Sequence, residues 1–297
     1  MQELIKKICS MNGIVCNKIE KVNSGFTNIT HIIDDKYVIK ITSPTSKPEK
    51  LQKEIEFYKN IRLDFIPKYI TSGNHDGIDY LIISKLNGYS LFDIWHTLTN
   101  TQRNNCIFQI ANILNKFHKL DAKFLDSKFK ITNWVEKWQN SFDLNINILN
   151  KKGFDTSCVK RFKDEKLEQI FAENKPCLIY NDAHFDNFIF DNGKIYLIDF
   201  DRVLYCSIDY EILIIKMMLD APQKFANEHA EQYVKIEDYN MIYPLLKQLC
   251  KEMFDFKYIN DRIFVYQFIY SLGQAYEYNH NNKILNLLND FKEYFKY

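Results

Sequence analysis

Residues 179–201 read IYNDAHFDNFIFDNGKIYLIDFD, with five aspartates (Asp182, Asp186, Asp191, Asp199, Asp201) and three asparagines (Asn181, Asn187, Asn192) around two apolar runs. Asn192-Gly193 supplies the two positive-φ positions of a type I′ turn, so the runs predict a β-hairpin. That turn pairs Asp191 with Lys194, Phe190 with Ile195 and Phe188 with Leu197. Extending the ladder places Asn187 opposite Ile198 and Asp186 opposite Asp199, with cross-strand neighbours ~5 Å apart. Two close carboxylates repel unless a cation lies between them. Hard oxygen ligands without a His or Cys partner favour Mg²⁺ or Mn²⁺ over zinc. Register alone lets Asp186 compete with Asn187 as the ligand beside Asp199. Asp182 reaches the same cavity as a separate carboxylate. The plain alternative is a hairpin end whose acids face water, but the flanking runs are too apolar for an exposed ribbon.

The elements that must hold these groups follow from periodicity. Residues 2–11 predict a short helix, and residues 17–42 predict strands, with VIKI at 38–41 the clearest. PTSKPEK reads as a proline-marked loop. In LQKEIEFYKNI, Leu51, Ile55, Tyr58 and Ile61 share one helical face. TSGNHDG, 71–77, predicts a turn before the apolar strand YLIIS, 80–84. After Asn87-Gly88 the pattern becomes helical, over 101–120, 133–150, 155–173, 207–219, 237–254, 261–279 and 283–296. The division expected is therefore a β-rich part over residues 1–86 and a larger, mostly helical part over 87–297, with a helical insertion near 121–176.

The chain has 297 residues, 46% of them hydrophobic, and a net charge of +1. Length and composition suit a globular protein with a sizeable core. The near-neutral charge gives no broad field for nucleic acid or an acidic membrane surface. Seven scattered cysteines without a CxxC pair fit free thiols in a reducing cytoplasm. No run approaches the ~18 apolar residues of a membrane span.

At Asn181-Asp182, Asn187 and Ile198-Asp199-Phe200 the sequence resembles the aminoglycoside phosphotransferase and choline kinase family, whose catalytic loop has the form H-G/N-D-x-x-x-x-N followed by a strand pair and I-D-F/W. Tyr180 stands where that family usually has His. The resemblance spans about residues 20–215 and implies an α+β, bilobal protein-kinase-like fold. It also implies an ATP- and Mg²⁺-dependent phosphotransferase acting on a small-molecule hydroxyl. Asp182 would be the catalytic carboxylate, and Asn187 and Asp199 the metal ligands. Lys40 in YVIKI would hold the nucleotide phosphates. Glu54 would pair with Lys40, and Glu56 is the second choice. SGFTN is similar to a phosphate-covering loop, which assigns Ser24, Gly25 and Thr27 to the nucleotide. YLIISKLNG resembles the hinge, with Ser84 and Leu86 offering main-chain contacts to adenine. Asp209 would be structural, as a cap or anchor.

The acceptor is less defined. A choline-like amino alcohol or an aminoglycoside would be cationic, and Asp201, Asp209, Glu211 and Glu277 could serve such a cation. Trp134 with Trp138 could form an aromatic box or simply pack, and His184 could edge the substrate. Two other readings stay open: a kinase-like protein that binds nucleotide without catalysis, and a protein kinase. The second would need a long activation segment, for which helix resuming near 207 leaves no room. A metal-dependent hydrolase of another fold would explain the acids but not Lys40 or the hinge.

Overall fold

The computed structural model describes residues 1–22, 28–43 and 47–297. Five antiparallel strands, β1 (Ile19–Lys21), β2 (Asn28–Ile33), β3 (Tyr37–Thr42), β4 (Tyr69–His75) and β5 (Ile78–Ser84), form one sheet in the order β1-β2-β3-β5-β4. Alternation assigns its two faces. Ile39, Ile41, Tyr80 and Ile82 pack with Ile5, Ile8 and Cys9 of helix α1 (Gln2–Met11). Leu81 and Ile83 pack on the other side with Leu51, Ile55 and Tyr58 of helix α2 (Pro48–Asn60). Lys40, between Ile39 and Ile41, therefore points to the α2 side.

Two details differ from the sequence expectation. Residues 71–75 are strand, and only Asp76 and Gly77 adopt the positive φ of a turn. Gly73 suits that strand because a Cβ there would lie 2.7 Å from the Tyr80 hydroxyl. Helix α2 begins at Pro48, inside the stretch read as loop. Proline at the first helical position gives up no backbone bond, since that N–H has no intrahelical acceptor.

The rest of the chain holds a three-strand sheet, a two-strand ribbon and helices. The strands are β6 (Tyr89–Ser90), β7 (Pro176–Ile179), β8 (Phe188–Asp191), β9 (Lys194–Leu197) and β10 (Leu204–Ser207). The sheet order is β6-β8-β9, and β10 pairs with β7. The helices are α3 (Leu91–Ile94), α4 (Asn100–Phe117), α5 (Trp134–Lys151), α6 (Ser157–Glu165), α7 (Leu167–Phe171), α8 (Ile212–Asp220), α9 (Glu228–Glu231), α10 (Ile242–Leu249), α11 (Lys251–Phe254), α12 (Ile259–Glu277) and α13 (Asn281–Phe295). None is long and apolar enough to cross a membrane. Gly88, at φ 97°, lets β6 lie against β8, since a Cβ there would sit 2.2 Å from the Phe190 carbonyl oxygen.

One apolar cluster runs from α2 and β5 through α4 to β8 and β9. Phe200 stacks on Phe57 of α2 at 4.1 Å and meets Tyr180 at 5.6 Å. A second cluster joins α5, α6, α7, α12 and α13. Asp209 lies within the helical part, fully buried. It accepts from Arg262 Nε at 2.6 Å, Arg262 Nη2 at 2.9 Å, the Tyr266 hydroxyl at 2.6 Å and the Ser207 hydroxyl at 2.6 Å. It is an anchor that ties the end of β10 to α12.

Asp209→Ala leaves the fully buried Arg262 charge without its carboxylate and is expected to cost about 3–5 kcal/mol. The urea midpoint should fall accordingly. The double change Asp209→Leu with Arg262→Met, which removes both charges, should recover at least half of the loss.

Candidate active site

The site forms where α2, β3 and the ends of the β8–β9 hairpin meet. Lys40 Nζ donates to Glu54 Oε1 at 2.7 Å and Oε2 at 2.9 Å, and to Asp199 Oδ1 at 3.1 Å. Glu54 lies one turn from both Leu51 and Tyr58 on the buried face of α2 and is fully enclosed. Its Oε1 also accepts from Phe200 N–H at 3.2 Å. Glu56 points away and pairs with Lys59. Burial opposes the Lys40 charge, but Asp199 and Glu54 outweigh it and hold the ammonium above the ordinary lysine value. Burial pushes Glu54 up to about 7 against the pull of Lys40, and the Asp199 charge adds to the push. Three segments far apart in sequence are thus joined by one carboxylate and one ammonium.

The hairpin register is the one the turn dictates: Asp191 with Lys194, Phe190 with Ile195 and Phe188 with Leu197. Ile198 N–H donates to the Asn187 carbonyl at 3.0 Å, which sets Asp199 next to Asn187. The ladder does not continue to Asp186. Phe185–Asn187 turns into a 3₁₀ helix, and Asp186 accepts from the Ser90 hydroxyl at 3.2 Å. This turn sends Asp186 towards β6 and leaves Asn187 beside Asp199. Asp199 sits at φ 63°, a left-handed conformation that costs a non-glycine residue energy and is held here by its surroundings.

Asp182 lies in the loop between β7 and that turn. Its Oδ2 accepts from Asn187 Nδ2 at 2.9 Å, and its Oδ1 from Arg202 Nη1 at 3.1 Å. His184 Nε2 lies 3.5 Å from Oδ2. Burial disfavours its charge, but the His184 bond, the Arg202 charge and Asn187 prevail and hold the carboxyl below the usual carboxylate value. Asn187 Nδ2 also serves the Asp182 carbonyl at 3.0 Å, so its amide oxygen is the atom available to a cation. Asn187 Oδ1 and Asp199 make a two-residue oxygen set. Among the described residues no group of three His, Cys, Asp or Glu could hold a metal. Two protein oxygens still fit Mg²⁺, which commonly completes its shell with water and phosphate.

The loop is held from beneath. Glu211, fully buried, accepts from Tyr180 N–H at 2.7 Å and Asn181 N–H at 2.8 Å, with His118 Nε2 3.3 Å away. The expectation of a substrate contact at Glu211 is thereby corrected, because both its oxygens are committed inside the protein. The Tyr180 hydroxyl donates to the Ile198 carbonyl at 2.6 Å, so the residue that stands in place of the family's His ties the loop to the segment after β9 that carries Asp199. Asn181 takes φ 60°, a conformation Asn tolerates better than most residues.

Other expectations also change. Trp134 is buried with Trp138, Tyr210 and Tyr266, and its indole N–H donates to the Tyr266 hydroxyl at 3.2 Å. It packs the core and cannot face a substrate. Asp201 is buried with Lys50 3.9 Å away on α2, so it braces that helix rather than lining an open cavity. Burial, then the Asp199 charge, raise its pKa. Glu277 is exposed at the end of α12. His184 borders Asp182 and Phe225. At the hinge, Ser84 N–H donates to the Lys68 carbonyl at 2.8 Å, so a main-chain contact from Ser84 would be made through its carbonyl. Leu86 N–H has no backbone partner among the described residues. Ser24, Gly25 and Thr27 lie outside the described residues. Arg202 and Glu211's clamp on the loop had no counterpart in the sequence reading. Arg202 directly follows Asp201, and its only signal was that adjacency.

Glu54→Gln keeps an oxygen for Phe200 N–H but removes the charge facing Lys40. Nucleotide affinity and turnover are expected to fall roughly 10–100-fold in a folded protein. Glu54→Ala should add about 1–3 kcal/mol of lost stability by stranding buried donors. Titration calorimetry with nucleotide and a thermal melt check the two effects separately.

With this geometry in place, comparison with known proteins is direct. Residues 18–243 match the model of the Phosphotransferase enzyme family. The structure is similar to a streptomycin–ATP ternary complex of APH(2″)-IIa, at TM-score 0.71 and 18% identity over 98% of this chain and 95% of the other. It is similar to a GDP complex of aminoglycoside 2′-phosphotransferase-IIIa, at TM-score 0.66 and 15% identity over 98% and 97% of the two chains. A macrolide 2′-phosphotransferase from Brachybacterium faecium aligns at TM-score 0.55 and 10% identity over 96% of each chain. The α+β, kinase-like architecture and the family match agree: the chain belongs to the phosphotransferase enzyme family.

Proposed function

We propose that this phosphotransferase moves the γ-phosphoryl group of ATP to a hydroxyl of a small molecule, with Asp182 acting on the acceptor. The observation that carries this is the separation of roles around Asn187. Its amide nitrogen holds Asp182 on one side, while its backbone pairing brings Asp199 to the other. Asn187 Oδ1 and Asp199 would hold Mg²⁺, which when bound supplies positive charge to the phosphates. Lys40, kept charged by its two carboxylates, is positioned to neutralise the phosphates further back.

In the step itself the acceptor oxygen forms a bond to the γ-phosphorus as the bond to the β–γ bridging oxygen breaks, and ADP leaves with that electron pair. Asp182 accepts the hydroxyl proton. Its depressed pKa suits a loose transition state, in which the proton leaves late and little base strength is needed. Alignment and charge stabilisation supply most of the acceleration. Leu86 N–H is the backbone donor for adenine. Residues 1–86 would carry the nucleotide and 87–297 the acceptor. ATP rather than GTP is part of this proposal, and the similar structures include both adenine and guanine nucleotide complexes. A cationic acceptor, aminoglycoside or choline-like, keeps the family resemblance behind it but gains no contact from Asp209 or Glu211, which are consumed internally.

Asp182→Ala should lower turnover by roughly 10²–10⁴ with nucleotide binding retained. Asp199→Ala should remove the Mg²⁺-dependent part of ATP binding, read by calorimetry with and without the metal. Near-wild-type turnover of the Asp182 variant, in a screen of ATP consumption over hydroxyl compounds, would sink the assignment.

A further inference from the structure

Helix α4 sends two side chains to the site from behind. Gln109 Nε2 donates to the Gly193 carbonyl at 2.8 Å, and its Oε1 accepts from Ile195 N–H at 2.9 Å, so it grips the turn of the β8–β9 hairpin. Nine residues on, about 13 Å along the axis, His118 caps the helix with its N–H on the Leu114 carbonyl at 2.9 Å. Its Nε2 lies 3.3 Å from Glu211 Oε2, and Glu211 holds Tyr180 N–H at 2.7 Å and Asn181 N–H at 2.8 Å. Asn115 Nδ2 donates to the Leu249 carbonyl at 3.1 Å and fixes this end of α4 against α10. One helix therefore braces both the hairpin that brings Asn187 to Asp199 and the loop that carries Asp182.

The contact between His118 and Glu211 is enclosed. Their side chains are 5% and 0% exposed, and among the described residues no lysine or arginine pairs with Glu211. An ionised carboxylate only accepts, so Nε2 carries the proton and directs it at Oε2. A buried carboxylate that loses a donor must settle on those that remain. Here those are the two N–H groups of the loop, so the loop would shift with it. The other ring nitrogen, Nδ1, makes no hydrogen bond among the described residues. The ring lines a cavity of about 670 Å³, shared with Lys119, Lys175, Cys177, Gln248 and Lys251. Lys40, Glu54, Asp182, Asn187 and Asp199 do not border that cavity.

We propose that His118 is a positioning residue for phosphotransfer: by donating to Glu211 it holds the Tyr180–Asn181 backbone where Asp182 meets the acceptor hydroxyl. This rests on the reading above, in which Asp182 acts on the acceptor. His118 touches neither substrate, and its effect passes through Glu211. It acts on turnover and leaves nucleotide binding alone, since Lys40, Glu54 and Asp199 are tied to one another without it.

The cavity supplies the test. His118→Ala opens a ring-sized gap that joins it, so added imidazole can take the ring's place and donate to Glu211. In alkaline buffer 1-methylimidazole fills the same gap with no N–H to donate. Turnover of Mg·ATP is read with water as acceptor and with the alcohols screened above, alongside amide exchange at Tyr180 and Asn181. His118→Ala should lower kcat about 10²-fold, because a misplacement near ~1 Å at the reacting centre costs that much. KM for Mg·ATP should stay within about twofold, and both amides should exchange faster. His118→Gln, which keeps an N–H near the place of Nε2, should retain about one-third of kcat or more. Imidazole should raise kcat of the alanine variant about 10-fold or more and slow both amides again, and 1-methylimidazole should do neither. Should the alanine variant not fold, His118→Met, of similar bulk and without a donor, takes its place in the comparison with His118→Gln.

The inference is overturned if the donor-less variant keeps kcat within about threefold of wild type, if His118→Gln falls as far, or if the two imidazoles rescue alike. A wild-type chain that neither hydrolyses Mg·ATP nor transfers its phosphoryl group contradicts the phosphotransfer reading instead. Exchange at Tyr180 and Asn181 still decides the brace in that case, and amides unchanged by the loss of His118 would end it.

Discussion

The Glu54 carboxylate is the point on which the site depends. It is fully buried, yet it holds Lys40 of β3 through both oxygens and Phe200 N–H through one. A lone carboxylate in that position would be costly, and so would a lone ammonium. Together they fix the distance between the first sheet, α2 and the segment carrying Asp199. The Phe200 ring completes the clamp by stacking on Phe57 of the same helix. Polar and apolar contacts thus pull the same backbone segment onto α2, which explains how Asp199 is kept at a positive φ.

A second set of acids works in the opposite direction, away from chemistry. Asp209 and Glu211 are two residues apart, both fully buried, and each accepts at least two hydrogen bonds. One ties β10 to α12, and the other holds the backbone of Tyr180 and Asn181. Asp182 differs from them by access. Its donors come from side chains at the cleft, and part of it remains exposed. Asp209 and Glu211 are enclosed with their donors, whereas Asp182, though held by Arg202 and Asn187, keeps an exposed edge, and that access is what suits it to the proposed role.

Much of this was legible in the sequence. The Asn192-Gly193 turn fixes a register that brings both Asp186 and Asn187 towards Asp199, without choosing between them. The spacing of Leu51, Ile55 and Tyr58 defines a buried helix face that includes Glu54 and leaves out Glu56. What was not legible arises from tertiary packing. Asp186 left the ladder because three residues tightened into a 3₁₀ turn, which places it beside Ser90, ninety-six positions earlier. Trp134 and Trp138 carry the same spacing whether they line a pocket or fill a core, and only the arrival of Tyr210 and Tyr266 fills it. Strands β7 and β10, four residues each, are too short to show a period, yet they frame the catalytic loop. Arg202 had no distinguishing pattern, since its role comes from where Asp182 lies in space.

The separation of metal side and acceptor side is the centre of the account, and a crystal structure with Mg²⁺ and a non-hydrolysable ATP analogue tests it most directly. The metal should be bound by Asn187 Oδ1 and Asp199, with Lys40 on the phosphates and Asp182 outside the metal shell, facing the γ-phosphorus from the open side. A metal bound by Asp186, or a nucleotide seated away from Lys40 and Leu86, would contradict it.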